Sequence, residues 1–170
     1  MAVIKNGAAV ADRWVRIDDE ADLPVAGDIV VSLERWQRDR DVLLARDGGL
    51  GIELRSDQLA DSLGAAARHF QLIALDFPKF SDGRPYSTAR LLRERYGFAG
   101  ELRAVGNVLR DQFLFMDRCG FDSIEVQDQR HVAAWASALS EIGVFYQPAT
   151  DRRVPVTAQR HDLSPALQAS

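Results

Sequence analysis

Five short apolar runs, each followed by a segment with helix-like spacing of apolar residues, constrain the fold of this chain most strongly. The runs cover residues 29–33, 51–54, 70–75, 101–105 and 123–126. Strands that alternate with helices along a chain are typical of parallel sheets with right-handed crossover connections. We therefore predict an α/β fold with a five-stranded, mostly parallel sheet and flanking helices.

Two architectures fit this alternation of strands and helices. One is an open doubly wound sheet with helices on both faces. The other is a partial β/α barrel, because residues 102–126 have the short strand–helix–strand spacing of barrel units. Five units cannot close an eight-stranded barrel, so the open sheet is the preferred prediction.

The two ends of the chain depart from this repeat. Residues 1–17 are predicted to form a β-hairpin whose tight turn is Asn6-Gly7 and whose second arm is residues 14–17, since Asn-Gly tolerates positive φ at both turn positions. We predict a single domain over residues 1–148. Residues 149–170 are polar and lack helical periodicity, which indicates an extended or mobile tail.

Helices are predicted between and after the strands. They span residues 34–46, a stretch capped by Ser56 or Asp57, residues 87–96, residues 109–119 and a stretch capped by Asp128. The segment from Phe113 to Met116 is apolar around most of the helix circumference, which is typical of a helix covered on more than one side. We predict that this helix contributes to a homodimer contact.

Composition excludes several classes of protein. The chain has 170 residues and a net charge of -4, which argues against general binding to nucleic acid. No stretch approaches the ~18 apolar residues of a membrane span, and the N-terminus lacks the apolar core of a signal peptide. A single cysteine, Cys119, allows no internal disulfide and fits a reducing compartment. We predict a cytoplasmic protein without nucleic-acid or membrane partners.

In either architecture a ligand would bind beyond the carboxyl ends of the strands. The loops at that edge cover residues 32–34, 76–86 and 106–111, and they bring two helix N-termini, which favour anions. The candidates for anion binding are Lys79, Arg84, Tyr86 and Arg110, and further candidates on the rim are Asp76, Asn107 and Asp111. The arginines equally fit a solvated surface balanced by acidic side chains.

Other sites have weaker signals. Asp76 is placed like the phosphorylated aspartate of receiver domains, but the acidic pair, the hydroxyl and the lysine that accompany it there are missing. The three histidines have no zinc spacing, and no glycine-rich phosphate loop follows a strand. Cys119 near a helix C-terminus is predicted to be a buried filler. We predict no metal site, no cofactor and no assigned catalytic residue.

Residues 77–126, FPKFSDGRPYSTARLLRERYGFAGELRAVGNVLRDQFLFMDRCGFDSIEV, resemble a bacterial family catalogued as domain of unknown function 934. The similarity is predicted to run from the Trp14 region to about Tyr146. The resemblance implies no established activity or catalytic residues, genes that commonly lie beside those of sulfite reductase, and a loose oxidoreductase label for some members. The family usually has Gly-Asp-Val-Leu-Arg-Asp where this chain has Asn107 after Gly106, so no acid–base role is assigned to Asn107.

Three functions follow from these observations and the resemblance. The first is an accessory protein for sulfite and sulfate reduction that acts through a partner, such as sulfite reductase or another protein of sulfate assimilation. The second is a small enzyme or sensor that binds a sulfur oxyanion or a phosphorylated ligand at the rim of the sheet. The third is a flavin-binding oxidoreductase, which the lack of a dedicated phosphate loop disfavours.

Overall fold

The structure is a computed structural model that describes residues 2–5 and 8–126. The strands in these residues are β1 Ala2–Lys5, β2 Ala8–Val10, β3 Val15–Arg16, β4 Ile29–Ser32, β5 Leu50–Leu54, β6 Leu72–Phe77, β7 Glu101–Gly106 and β8 Ser123–Val126. The α-helices are α1 Leu33–Leu44, α2 Arg84–Glu94 and α3 Phe113–Arg118, and the 3-10 helices are Ala60–Ser62, Gly64–His69 and Arg110–Gln112.

All eight strands form one sheet in the order β2-β1-β8-β7-β6-β5-β4-β3. From β3 to β8 the strands lie side by side in chain order and are parallel, whereas β1 is antiparallel to both β8 and β2. The α/β class and the parallel arrangement are confirmed. The preference for a doubly wound sheet is wrong, because that fold reverses its strand order at a switch point, and so is the count of five strands.

The sheet curls strongly. β3 and β8 are five positions apart in the strand order, which would separate them by about 24 Å in a flat sheet. Instead, Nη2 of Arg16 on β3 donates a 2.6 Å hydrogen bond to Glu125 on β8. Residues 11–14 also connect β2 to β3, so the two edges of the sheet are at most about 18 Å apart. This arrangement is a barrel left open between β2 and β3, which is closer to the second predicted architecture.

The N-terminal hairpin is shorter than predicted. β1 and β2 pair with Val3 opposite Val10, and the predicted turn at Asn6-Gly7 lies outside the described residues. The assignment of residues 14–17 to the second arm is wrong, because Val15 and Arg16 pair in parallel with β4. The hairpin ends at Val10, because β1 pairs with residues 8–10 only. Val15 and Arg16 therefore form a sixth parallel strand beside β4.

The outer face of the sheet forms the hydrophobic core. Side chains alternate between the two faces of a strand, and Ile52, Ile73, Leu102 and Ile124 on the outer face are completely buried. α1 packs on β4 and β5, and α2 packs on β6. The apolar runs of the sequence therefore form strands whose outer face is removed from water, and α1 and α2 cover this face over β4, β5 and β6.

Two helix predictions need correction. The stretch after Ser56 is not an α-helix but two 3-10 helices separated at Leu63, with Gly64 at a φ of +51° where the chain changes direction. α3 has six residues and follows a 3-10 turn, and only part of its surface is free: Phe113 and Met116 are buried, whereas Phe115 is 57% exposed.

The predicted helix capped by Asp128 and the predicted tail over residues 149–170 lie outside the described residues. Within the described part of the chain, no helix has both the length and the apolar character needed to cross a membrane.

Candidate functional site

The inner face of the curled sheet carries most of the charged strand residues. On β1 and on β5 to β8 these positions alternate with apolar residues of the outer face, so one side of each of these strands is apolar and the other is partly ionic. The inner charges fall into two groups. The base cluster, toward the amino ends of β7 and β8, consists of Lys5, Asp12, Glu101, Arg103 and Ser123, and the mouth cluster, toward the carboxyl ends of the parallel strands, consists of Arg16, Glu53, Asp76 and Glu125.

Every member of the base cluster is paired. Arg103, which is 4% exposed, donates hydrogen bonds of 2.9 Å to both Glu101 and Asp12. Glu101 also accepts hydrogen bonds of 2.6 Å from Lys5 and Ser123. Desolvation alone would raise the pKa of Glu101, but these hydrogen bonds and the charge of Arg103 outweigh it, so the pKa lies below the usual value of 4.5. The base cluster is thus a satisfied ionic network inside the barrel.

In the mouth cluster, Arg16 bridges two carboxylates. Its Nε donates a 2.7 Å hydrogen bond to Glu53 on β5, and its Nη2 donates one of 2.6 Å to Glu125 on β8. Desolvation opposes the charge of Arg16, but the two carboxylates raise the pKa of Arg16 further above its already high value. One permanently charged guanidinium is therefore shared by Glu53 and Glu125, and it offsets one of their two negative charges.

Asp76 differs from its neighbours in the mouth cluster. Among the described residues its carboxylate has no ion pair and no side-chain hydrogen bond, and it is half-buried at the carboxyl end of β6. Desolvation, followed by the negative charges of Glu53 and Asp82, raises the pKa of Asp76 above 3.8, and Arg16 opposes this shift. Asp76 therefore holds its proton to a higher pH than an ordinary aspartate.

The backbone beside Asp76 requires a glycine. Gly106 ends β7 with a φ of +85°, and a Cβ at this position would lie 2.5 Å from Oδ1 of Asp76 and 2.6 Å from the carbonyl oxygen of Phe77. The next residue, Asn107, donates from its backbone to Phe77 O at 2.7 Å and from its side chain to Pro78 O at 2.8 Å. These bonds join the loops after β6 and β7.

Two cavities open at the mouth of the sheet. The first, of about 270 Å³, lies beyond β3, β4 and β5, and its charged lining residues are Arg16, Asp18, Asp19, Glu34, Glu53 and Arg55. The second, of about 260 Å³, lies beyond β6 and β7 and is lined by Pro78, Lys79, Phe80, Ser81, Asn107, Val108 and Leu109. Among the described residues, carboxylates outnumber guanidiniums in the lining of the first cavity, whereas the lining of the second cavity has a lysine and no carboxylate.

The structure brings some of the predicted site residues together and separates others. Lys79 and Asn107 line the second cavity, and Asp76 lies on the strand that leads to it. Arg84 instead pairs with Asp82 at 2.6 Å and donates a 2.8 Å hydrogen bond to Ser56. The hydrogen bonds from Arg84 hold the pKa of Asp82 well below its usual value. The guanidinium of Arg84 is therefore already bound by Asp82 and Ser56.

The remaining predicted residues, Tyr86, Arg110 and Asp111, do not line the second cavity. Arg110 and Asp111 belong to the 3-10 turn that follows Leu109. Tyr86 lies in the first turn of α2 and contacts Phe77 and Phe115, with ring centroids 5.1 and 4.9 Å away. Its hydroxyl is buried without a hydrogen-bond partner in the described part of the chain, and burial raises the pKa of Tyr86 to about 12. Tyr86 is thus part of an aromatic cluster.

Sequence reasoning missed Arg16, Glu53 and Glu125. The signal that could have found them is a single charged residue in a strand that is otherwise apolar, as in LGIEL and SIEV. In a strand covered on one face, such a residue must lie on the other face. Parallel strands collect these residues at one end of a barrel, where ligands bind.

Two other predictions concern metal and thiol chemistry. No group of three or more histidine, cysteine, aspartate or glutamate side chains that could hold a metal occurs in residues 2–5 and 8–126. Cys119 is half-buried, and burial raises the pKa of its thiol above 9.0. A thiol of that kind is protonated at neutral pH and is a poor nucleophile.

Comparison with known proteins gives one match. A family model described as "Bacterial protein of unknown function (DUF934)" matches residues 51–157, which include β5 to β8 and both loops of the second cavity. Searches of curated proteins and of solved structures find no match to the chain.

Proposed function

The chain belongs to the bacterial DUF934 family, whose function is unknown, and from that premise we propose that it is a small enzyme or sensor acting at the mouth of its curled sheet. In this proposal Asp76 exchanges a proton with a small anionic ligand. One observation carries it: Glu53 and Glu125 are both ion-paired to Arg16, whereas Asp76 is left without an ion pair or hydrogen bond among the described residues.

The physical argument starts from the free energy of burial. A partly buried carboxylate without a partner destabilises the folded state, and an environment of this kind is typical of residues that transfer protons. Asp76 also lies at the carboxyl end of a parallel strand, where β/α folds place their reactive residues. A protonated Asp76 can donate a hydrogen bond to an oxyanion, so an anionic ligand would favour its protonated form.

The second cavity suits an anion better than the first. In the part of the chain that the structure describes, its lining contributes the ammonium group of Lys79, the hydroxyl of Ser81 and the amide of Asn107, and no carboxylate. The first cavity has four carboxylates against two guanidiniums and would repel an anion. We therefore place the anionic group near Lys79, next to the strand end that carries Asp76.

We further propose that the ligand is a sulfur oxyanion or a phosphorylated metabolite and that the protein serves assimilatory sulfite and sulfate reduction in the cytoplasm. The gene neighbourhood implied by the family resemblance supports this pathway. The volume of about 260 Å³ is consistent with a small oxyanion ligand.

A complementation experiment tests the proposal without a known substrate. A deletion strain is grown with sulfate or with cysteine as the sulfur source and is complemented with wild type, Asp76→Asn, Lys79→Ala or Asp47→Asn. Asp47 is an exposed aspartate in the turn before β5, at the opposite end of the sheet, and is the matched control. We expect Asp76→Asn and Lys79→Ala to fail on sulfate alone, and Asp47→Asn to grow like wild type. Full growth of Asp76→Asn on sulfate would refute the proposal.

Binding gives a second measurement. Sulfite, sulfate and phosphate are added separately to the full chain, and the melting temperature is recorded. A ligand at the second cavity should raise it for wild type and Asp47→Asn but not for Lys79→Ala. Because bound anion favours protonated Asp76, the shift should weaken as the pH rises, and Asp76→Asn should lose this pH dependence.

A second candidate function has a separate observation in its favour. Phe80 and Leu109 at the second cavity are 54% and 42% exposed, and Phe115 on α3 is 57% exposed. Exposed aromatic and aliphatic side chains of this kind are enriched in protein interfaces. We propose as the alternative that this surface docks on sulfite reductase or on another protein of sulfate assimilation.

Co-purification distinguishes this alternative. The double substitution Phe80→Ser with Leu109→Ser should abolish co-purification with sulfite reductase, whereas Val25→Ser, at an 88% exposed site between β3 and β4, should leave it unchanged. The homodimer predicted for the segment from Phe113 to Met116 depends on Phe115, because Phe113 and Met116 are buried. Sedimentation of Phe115→Ser tests it.

A further inference from the structure

We propose that Arg16 is a positioning residue for Asp76: its guanidinium, bound between Glu53 and Glu125, closes the mouth cluster and sets the charge that surrounds the unpaired carboxylate. The inference rests on the proposed function, since it concerns how the same site is prepared for proton exchange. It goes beyond that function because neither a ligand nor a reaction is needed to test it.

The side chain of Arg16 contacts two strands that do not pair with its own strand. β3 has two residues, Val15 and Arg16, and pairs only with β4 among the described strands. The side chain of Arg16 nevertheless reaches β5 at 2.7 Å and β8 at 2.6 Å. One guanidinium therefore connects the edge strand to the strand five positions away, and the shape of the mouth depends on it.

The charges that face Asp76 come from three elements. In the described part of the chain they are Glu53 on β5, Asp82 in the loop after β6, and Arg16 on β3. Arg16 itself faces Glu53 and Glu125. Asp82 is paired with Arg84, so among the described residues Arg16 is the inner cation that opposes the negative charge of Glu53 at Asp76. Without Arg16, the unopposed charge of Glu53 would raise the proton affinity of Asp76 further.

A purely structural role for Arg16 predicts something different. The pair of Arg103 and Asp12 also connects β7 to the segment before β3, so Asp12→Asn weakens a similar contact across the curled sheet without changing a charge next to Asp76. If Arg16 only stabilised the curled sheet, Arg16→Gln and Asp12→Asn would both lower stability and both leave the proton affinity of Asp76 unchanged. The two variants therefore separate positioning from structural support.

The experiment is a carboxyl-carbon NMR titration of Asp76 in the full chain. We expect Arg16→Gln to raise the proton affinity of Asp76 at least about threefold, and Arg16→Lys and Asp12→Asn to keep it within about twofold of wild type. Glu53→Gln should lower it, because a carboxylate that faces Asp76 is removed while the charge of Arg16 stays. This opposite sign keeps the test decisive if Arg16→Gln does not fold.

The proposal is overturned if Arg16→Gln and Glu53→Gln leave the titration of Asp76 unchanged or shift it in the same direction. It fails independently of the proposed function. If Asp76 titrates as expected while Asp76→Asn still supports growth on sulfate, the positioning role stands and the proposed function does not. If the titration is unaffected but Asp76→Asn abolishes growth, the reverse holds.

Discussion

The base cluster and the mouth cluster lie on the same inner face of one sheet, but Glu101 and Asp76 differ in their hydrogen-bonding partners and in the direction of their pKa shifts. Glu101 in the base cluster has three hydrogen-bonding partners and a lowered pKa. Asp76 in the mouth cluster has none among the described residues and a raised pKa. In β/α barrels the amino end of the strands serves stability and the carboxyl end serves ligands. The comparison teaches that a buried charge on the inner face can be fully paired, and it distinguishes Asp76 as a carboxylate without a partner among the described residues, which is why the proposal is placed there.

The largest expected loss of stability comes from disrupting the base cluster. Arg103→Met should lower the free energy of unfolding by about 3–5 kcal/mol, because it leaves Glu101 and Asp12 without their guanidinium inside the barrel. Urea denaturation of wild type and variant measures it. The double variant Arg103→Met with Glu101→Leu should recover part of the loss, and a single-variant loss below about 1 kcal/mol would contradict the assigned role.

At the mouth, Gly106→Ala should also be strongly destabilising. A non-glycine residue at its φ of +85° costs about 1–2 kcal/mol by itself, and its Cβ would meet the backbone oxygen of Phe77 at 2.6 Å. Gly97 is the control, because its φ is +61° and its Cβ would have nothing within 4 Å. Thermal unfolding should show a clearly larger loss for Gly106→Ala than for Gly97→Ala, and equal losses would mean that the contact is unimportant.

The pH dependence of stability tests the difference between the two clusters at Glu101. Glu101→Gln should lower stability at pH 7 by about 1–3 kcal/mol. Since the folded pKa of Glu101 lies below 4.5, its contribution is fully present above that pH and is lost as the pH falls through the folded value. Unfolding free energies measured from pH 7 to pH 3 should therefore converge for wild type and variant. Curves that stay parallel would contradict the lowered pKa.

The smallest effect on stability is expected at Asp76, where the substitution should not lower the free energy of unfolding. Its folded pKa lies above 3.8, so the charged form lowers stability at neutral pH, and this penalty disappears as the pH falls through the folded value. Asp76→Asn should leave stability at pH 7 unchanged or raise it by less than about 1 kcal/mol, because solvent screens a half-buried group. Denaturation curves of Asp76→Asn and Asp47→Asn at pH 7 measure it, and a loss above about 1 kcal/mol would assign Asp76 to structure.

Much of the fold was predictable because local periodicity decides it. The runs at residues 29–33 and 101–105 became β4 and β7 nearly as expected. Residues 14–17 were misassigned since nothing in a two-residue strand tells whether its partner is the preceding hairpin arm or β4. The helix after Ser56 failed at Gly64, where a positive φ overrides an apolar pattern of helical spacing.

The candidate site was predicted only in part. Asp76, Lys79 and Asn107 were found because loops after parallel strands meet at one edge. Glu53 and Glu125 were missed, although each interrupts an apolar strand, because the curl that brings β5 and β8 together comes from contacts across the whole sheet. Tyr86 was placed at the rim, but α2 begins at Arg84, which turns this side chain toward Phe77.

The pairing of β1 with β8 has a consequence for how the protein is made. β1 is synthesised before every other described strand, and its partner follows roughly 120 residues later. At the usual pace of about 5–20 residues per second on the ribosome, β1 waits roughly 6–24 s for Ile124 to emerge beside Ile4. During that interval Val3 and Ile4 lack their partners on β8, so the sheet can be completed only after residue 126 has been synthesised.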